Sequence, residues 1–349
     1  MKKLLVLVLS VCLSCTTLVG CSSSEEEEDR ELVIYGSCEE EYLAAVAVAF
    51  EEYSGISVSY QRLSTGEVLT KIEEEDGNPS ADVWFGGTTD PYNEAAELGL
   101  LYAYDAENAE NLIGDQYKHE DNYWYGIYTG ILGIFWNTEE LDRLGLEAPS
   151  DWDDLLNPEY EGLIAFANPN TSGTGLLFIN TMVQIMGEDA AMDYFAELDN
   201  NIMQYTKSGS GASKMVPLGE VVIGVGFLHD VVYQIVDMGY DNIGMTAPTS
   251  GTSYEIGATA IFEGATNMDE AQEFIEFALS PDCVDIAQEN GSYQFLVIDG
   301  AADVQAAVDA GLDTIETIEY DFEDATANGS AYRETFFEVI NNDDRVMTE

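Results

Sequence analysis

At 349 residues, with 46% hydrophobic side chains, the chain has more apolar surface than one core usually covers, so two packed units are expected. Its 67 Asp and Glu against 11 Lys and Arg give a formal net charge of −56. Such a field repels nucleic acid and anionic lipid, keeps a protein soluble and monomeric, and slows any anionic ligand unless local dipoles or salt counter it.

Lys2 and Lys3 precede an apolar run from Leu4 through Leu13, and Leu18-Val19-Gly20 stands immediately before Cys21. This is the pattern of a bacterial export signal, with a run too short to span a membrane comfortably. The small residue before Cys21 resembles a lipobox, which implies that residues 1–20 are removed and that lipidated Cys21 becomes the new N-terminus. Residues 21–30, with the acidic stretch Ser22 to Asp29, then read as a solvated tether. Loss of Lys2 and Lys3 takes the mature charge to −58. The expected location is outside the cytoplasm, anchored to the cell membrane by lipidated Cys21. Cys12 and Cys15 leave with the signal, so only Cys38 and Cys283 are available for a disulfide. Their spacing is not that of a metal site, and a bridge and two buried thiols both stay open.

Short β-rich runs alternate with helical patterns along the rest of the chain, which predicts an α/β architecture. Strands are expected at Leu32 to Tyr35, Ile56 to Tyr60, Asp82 to Phe85, Ile131 to Trp136, Leu163 to Ala167 and Val221 to Phe227. Leu43, Val46 and Phe50, and later Leu176, Ile179 and Val183, recur in three- and four-residue steps that place them on buried helix faces. Ser150 with Asp153 reads as a helix start, and Asn168-Pro169-Asn170 as a break before another. Asp269 to Leu279 and the segment with Tyr332, Phe336 and Ile340 are expected as late helices. No long internal linker separates the units, so the chain should pass between them more than once.

In this order, Leu32 to Ser37, Gly55-Ile56-Ser57-Val58, Thr65-Gly66-Glu67 and Ala81-Asp82-Val83-Trp84 resemble the family of ferric-iron, phosphonate and sugar-phosphate receptors of bacterial ABC importers. The resemblance continues through Gly133 to Asn137, Trp152 to Leu155, Pro169 to Gly175 and Glu270 to Ile275, and so covers nearly all the mature chain. It implies a two-lobed periplasmic-binding-protein fold with hinge strands crossing between lobes that close on a ligand. Ile131 to Trp136 and Ala258 to Phe262 resemble the crossing segments. Residues 31–130 and 255–280 are assigned to lobe 1, and 131–254 and 281–349 to lobe 2. An ABC permease and its ATPase are the implied partners, no cofactor is implied, and the sugar-phosphate receptors are the nearest members.

Two segments could hold an anion on physical grounds alone. Thr171, Ser172, Gly173 and Thr174 stand just before an apolar-periodic helix, where free N–H groups and the positive dipole end face outward. Ser208, Ser210 and Gly211, in Ser208-Gly209-Ser210-Gly211-Ala212-Ser213, offer the same chemistry at a second helix start. Ser37, Thr65 and Gly66 follow strands at the expected cleft edge and could complete a cage from the first lobe. Neutral donors of this kind can bind an oxyanion without lysine or arginine.

His229 and Asp230 follow a buried-type strand and open a helix. The pair could be a core histidine beside an N-cap carboxylate. It also resembles the pair that sugar-phosphate receptors use, with a later glutamate, on sugar hydroxyls; Glu255 stands where that glutamate is expected. The expected ligand is a small phosphorylated or phosphonate solute, with a sugar phosphate favoured. Ferric receptors of the family carry adjacent tyrosines where this chain reads Gly291-Ser292-Tyr293-Gln294-Phe295, a poor start for a hard trivalent cation. The mature chain has no Gly-x-Ser-x-Gly, His-Glu-x-x-His, Walker or Cys-x-x-Cys motif, so an enzyme is not expected and no metal ligands are assigned. A clamp of this type could also signal to a histidine kinase.

Overall fold

The computed structural model describes residues 30–340 and Arg345; the signal segment, Cys21 and all of the tether but Arg30 lie outside the described residues. The strands are β1 (Glu31–Gly36), β2 (Ser57–Arg62), β3 (Val83–Thr88), β4 (Leu101–Tyr102), β5 (Tyr125–Asn137), β6 (Ile164–Ala167), β7 (Ile202–Thr206), β8 (Ile223–Phe227), β9 (Ile243–Thr246), β10 (Tyr254–Phe262) and β11 (Phe295–Leu296). They pair along the path β2-β1-β3-β10-β5-β8-β6-β7, with β4 on β10 and β9 and β11 on β5.

Period-two alternation assigns each strand's side chains to opposite layers. In the first lobe, Ile34, Val83 and Phe85 face the helices Glu40–Ser54 and Met268–Ala278, while Tyr35 and Trp84 face the helices Thr65–Glu74 and Thr89–Glu97. In the second lobe, Leu132, Ile134, Ile164 and Phe166 pack with the helices Gly173–Met186 and Glu188–Leu198, and Ile131, Phe135 and Ala165 pack on the other side. The last helix, Phe322–Val339, buries Tyr332 and Phe336 in the second-lobe core.

β5 is the passage between the lobes. Its Tyr125–Ile131 half pairs with β10, and its Leu132–Trp136 half pairs with β8. The return crossing differs from the expectation. Residues 259–262 of β10 are paired with β3 and β4 inside the first lobe, so the chain crosses ahead of them, near Ser253 and Tyr254, where Ser253 O accepts Leu132 N–H. A second correction concerns residues 281–287 and Ile298, since Tyr293 and Phe295 between them do pack in the second lobe. Cys283, Val284, Ala287 and Ile298 pack with Leu32, Phe50 and Phe274 in the first lobe rather than with the second. Both thiols are free and buried. The expected helix start at Ser150 is shifted by one: Asp151 caps a 3-10 turn, Trp152–Leu156, and forms a capping box with Asp154.

The parallel strands are oriented so that their C-terminal ends converge. β1, β2 and β3 run parallel in one lobe and β6, β7 and β8 in the other. Loops leaving such ends are where α/β proteins place ligands.

Candidate functional site

A polar cavity lies where those strand ends meet, with about 470 Å³ of non-atom space including its open mouth. Eight of the predicted site residues line it: Ser37, Thr65, Ser172, Thr174, Ser210, His229, Asp230 and Glu255. The N-terminal ends of the helices Thr65–Glu74, Thr89–Glu97, Gly173–Met186 and Leu228–Val236 all open at this cavity through Thr65, Thr88, Thr174 and His229. The positive ends of their dipoles make a locally positive site inside an acidic protein.

Hydrogen bonds fix which way several groups face. Trp84 Nε1 donates to Ser37 Oγ at 3.0 Å, so that oxygen's own proton is free to point into the cavity. Gly87 N–H donates to Tyr128 Oη at 2.8 Å. Thr88 Oγ1 and Ser210 Oγ are buried without a protein partner. Buried polar atoms are costly when unpaired, and here they line a space that a ligand could fill.

At another part of the wall, His229 Nε2 lies 3.7 Å from Asp230 Oδ1 and 3.9 Å from Glu255 Oε1. The imidazole stacks on Phe227 at 5.2 Å between ring centres, and its Nδ1 is buried without a partner. A Cβ on Gly130 would stand 2.4 Å from that nitrogen and 2.9 Å from Glu255 Oε1, so only glycine leaves this corner open. Burial pushes the His229 imidazole down to about 3, which keeps it neutral. Burial, helped by the nearby Glu39, pushes Asp230 up to about 8. Glu255 is held well above the usual carboxylate range by burial and by Asp230. A neutral imidazole beside two carboxyl groups short of a counter-charge can both donate to and accept from hydroxyls.

The remaining predicted residues shape the loops instead of facing the cavity. Gly66 N–H donates to Thr171 O across the two lobes at 3.1 Å, and Thr171 Oγ1 donates to Lys207 O at 2.6 Å. Ser208 O accepts from Thr206 Oγ1 and from Gly211 N–H. A Cβ on Gly173 would meet Thr88 Oγ1 at 1.9 Å, and one on Gly211 would meet Thr206 Cβ at 2.6 Å, so both glycines permit close packing around the site. Tyr293 donates to Asp237 and does not line the cavity.

Sequence reasoning missed Arg62, Ser64, Thr88 and Gln294, all of which line the cavity, as does Tyr128, a tyrosine that reads from sequence as a core or cleft-wall aromatic. Arg62 matters most, because neutral donors were expected to suffice. It is the last residue of β2, and its guanidinium donates to Cys38 O at 3.2 Å and to Ser64 Oγ at 3.3 Å. The strand-end rule that selected Ser37 and Thr65 applies equally to it.

A two-lobed α/β fold with a polar cavity between the lobes defines a solute-binding protein, and comparison with known sequences places this chain among them. The bacterial extracellular solute-binding protein family matches residues 78–313, and the chain belongs to that family. It is 38% identical to a Haemophilus influenzae protein over 297 residues, covering 84% of this chain and 85% of that one. The periplasmic binding protein AfuA from Actinobacillus pleuropneumoniae, solved with exogenous fructose-6-phosphate bound, is 38% identical, with a TM-score of 0.84 over 89% of this chain and 98% of AfuA. A putative 2-aminoethylphosphonate-binding periplasmic protein of Salmonella paratyphi A is 25% identical over 66% of this chain and 67% of its own. The chain is thus a binding component of an ABC-type importer that works outside the cytoplasm, with a permease and ATPase as partners, and not an enzyme.

Proposed function

We propose that this protein captures a sugar phosphate in the interlobe cavity and delivers it to an ABC permease, held at the membrane as a monomer by lipidated Cys21. The observation that carries the reading is one cavity that combines Arg62 and four helix N-termini with the buried, partnerless Thr88 Oγ1, Ser210 Oγ and His229 Nδ1. The first group suits a phosphate, and the His229, Asp230 and Glu255 corner suits hydroxyls. Fructose-6-phosphate in AfuA, 38% identical, supports the same assignment.

A second ligand is favoured by one specific feature. Asp230 and Glu255, both buried, would also accept an ammonium group, as an aminoalkylphosphonate carries. A thermal-shift panel on the chain from Ser22 onward separates the two. Fructose 6-phosphate, 2-aminoethylphosphonate, inorganic phosphate and ferric citrate are compared, and a true ligand at a hundred times its dissociation constant adds about 2.7 kcal/mol. A shift with ferric citrate alone would end the phosphate reading. Permease and ATPase genes beside this one would support import, and a histidine kinase gene would support sensing.

A further inference from the structure

Nine cationic side chains follow Cys21, and three of them meet at the cleft. Arg62 lines the cavity, while Lys207 and Lys214 reach from the second lobe across its rim. Lys207 Nζ lies 2.8 Å from Glu67 Oε1, and Lys214 Nζ lies 3.2 Å from Glu39 Oε2. Both acids stand at starts of first-lobe helices. Glu67 closes the capping box with Ser64, and Glu39 is the N-cap of the helix Glu40–Ser54. The lysines bracket Ser210, which faces the cavity. Because the partners sit on different lobes, neither pair survives opening of the cleft.

We propose that Lys207 and Lys214 form a charge-exchange latch: unpaired at the rim of the open cleft they draw in an anionic solute, and on closure they pair with Glu67 and Glu39 and slow its release. The need follows from the strongly negative net charge, −56 over the full sequence, which opposes the approach of an anion. Opening carries both lysines away with the second lobe, so their two positive charges stand unpaired on that face of the cleft while Glu67 and Glu39 stay with Arg62 on the other, and an anion approaching the second-lobe face within about a Debye length, ~10 Å, is attracted. Closing returns the lysines to carboxylates, so the rim does not compete with the cavity for the solute. Each lysine is partly exposed, 39% and 51%, so a single pair contributes little and the two must act together. The steering half of this inference rests on the anionic-ligand reading; the latch half does not.

Stopped-flow binding of fructose 6-phosphate tests it in the wild type, Lys207→Glu/Lys214→Glu and Lys207→Arg/Lys214→Arg. Charge reversal should raise the dissociation rate about tenfold and lower the association rate, and both effects should fade near 1 M salt, where the Debye length is ~3 Å. The arginine variant should keep both rates within about threefold, because it can still pair. Small-angle scattering reads the latch separately: at low salt the wild type should be more compact than the reversed variant, with or without sugar phosphate. Equal dissociation rates and equal radii at every salt concentration overturn the latch. Failure of every phosphate to bind overturns the ligand reading, and the radii alone then decide the latch.

Discussion

Replacing Arg62 by methionine removes the one positive side chain that lines the cavity among the described residues, while keeping most of its aliphatic volume. A unit charge about 4 Å from a phosphate, at an effective dielectric constant near 20, interacts by about 4 kcal/mol. The bonds from Arg62 to Cys38 O and Ser64 Oγ hold the guanidinium in place, so little reorganisation offsets that attraction. Solvent at the mouth weakens it, and a loss of about 2–4 kcal/mol, or ~30-fold to 1,000-fold in affinity, is expected. Isothermal titration of fructose 6-phosphate into both proteins measures it, with circular dichroism to confirm the fold. The four helix ends would then account for the residual binding. A loss below about threefold would show that helix-start donors hold the anion unaided, and would refute the role given to Arg62.

Three further outcomes follow from the same geometry. His229→Ala should weaken fructose 6-phosphate by about tenfold or more yet change inorganic phosphate little, since only the sugar would use that corner; equal losses on titration would remove its hydroxyl role. Gly66→Ala places a Cβ 2.5 Å from Asn170 O in the opposite lobe, so it should wedge the cleft and weaken every ligand while leaving the melting temperature of the ligand-free protein nearly unchanged. Unaltered affinity would show that closure does not bring these backbones together. Burial holds the Asp90 carboxyl up at about 6, against opposing hydrogen bonds from Tyr320 and Asn180. Between about pH 4 and 6 the folded state therefore binds more protons than the unfolded state, and stability falls as pH rises. Urea unfolding should show Asp90→Asn gaining up to about 3 kcal/mol on the wild type across that window and holding the gain above it, whereas a pH-independent difference would contradict the shift.

Much of the fold was legible because its central strands, such as β3, β6 and β8, are buried on both faces and bounded by turn residues. Leu32 to Tyr35 falls inside β1, and Asp82 to Phe85 covers the first half of β3, which runs on to Thr88. The two-residue strands β4 and β11 carry no pattern of their own, since pairing with β10 and β5 defines them. Residues 281–287 and Ile298 were misplaced because an apolar face does not say which of two cores it enters. At the site, Ser172, Thr174 and Ser210 were visible from loop chemistry before helices. The same chemistry pointed to Thr171 and Ser208, and the strand-end rule to Gly66, whose backbone groups or hydroxyls instead join one loop to another. Arg62 ends β2, an edge strand rich in exposed polar residues, so its place at a strand end is the one sequence signal that marks it.

Calorimetric titration of the wild type with fructose 6-phosphate, fructose and inorganic phosphate tests the central claim most directly. If one cavity holds a phosphate and a hydroxylated body together, the sugar phosphate should bind at least about a hundredfold more tightly than either part, since each part forgoes the other's contacts. Equal affinity for inorganic phosphate and fructose 6-phosphate would contradict the account, leaving the His229, Asp230 and Glu255 corner without a role in recognition.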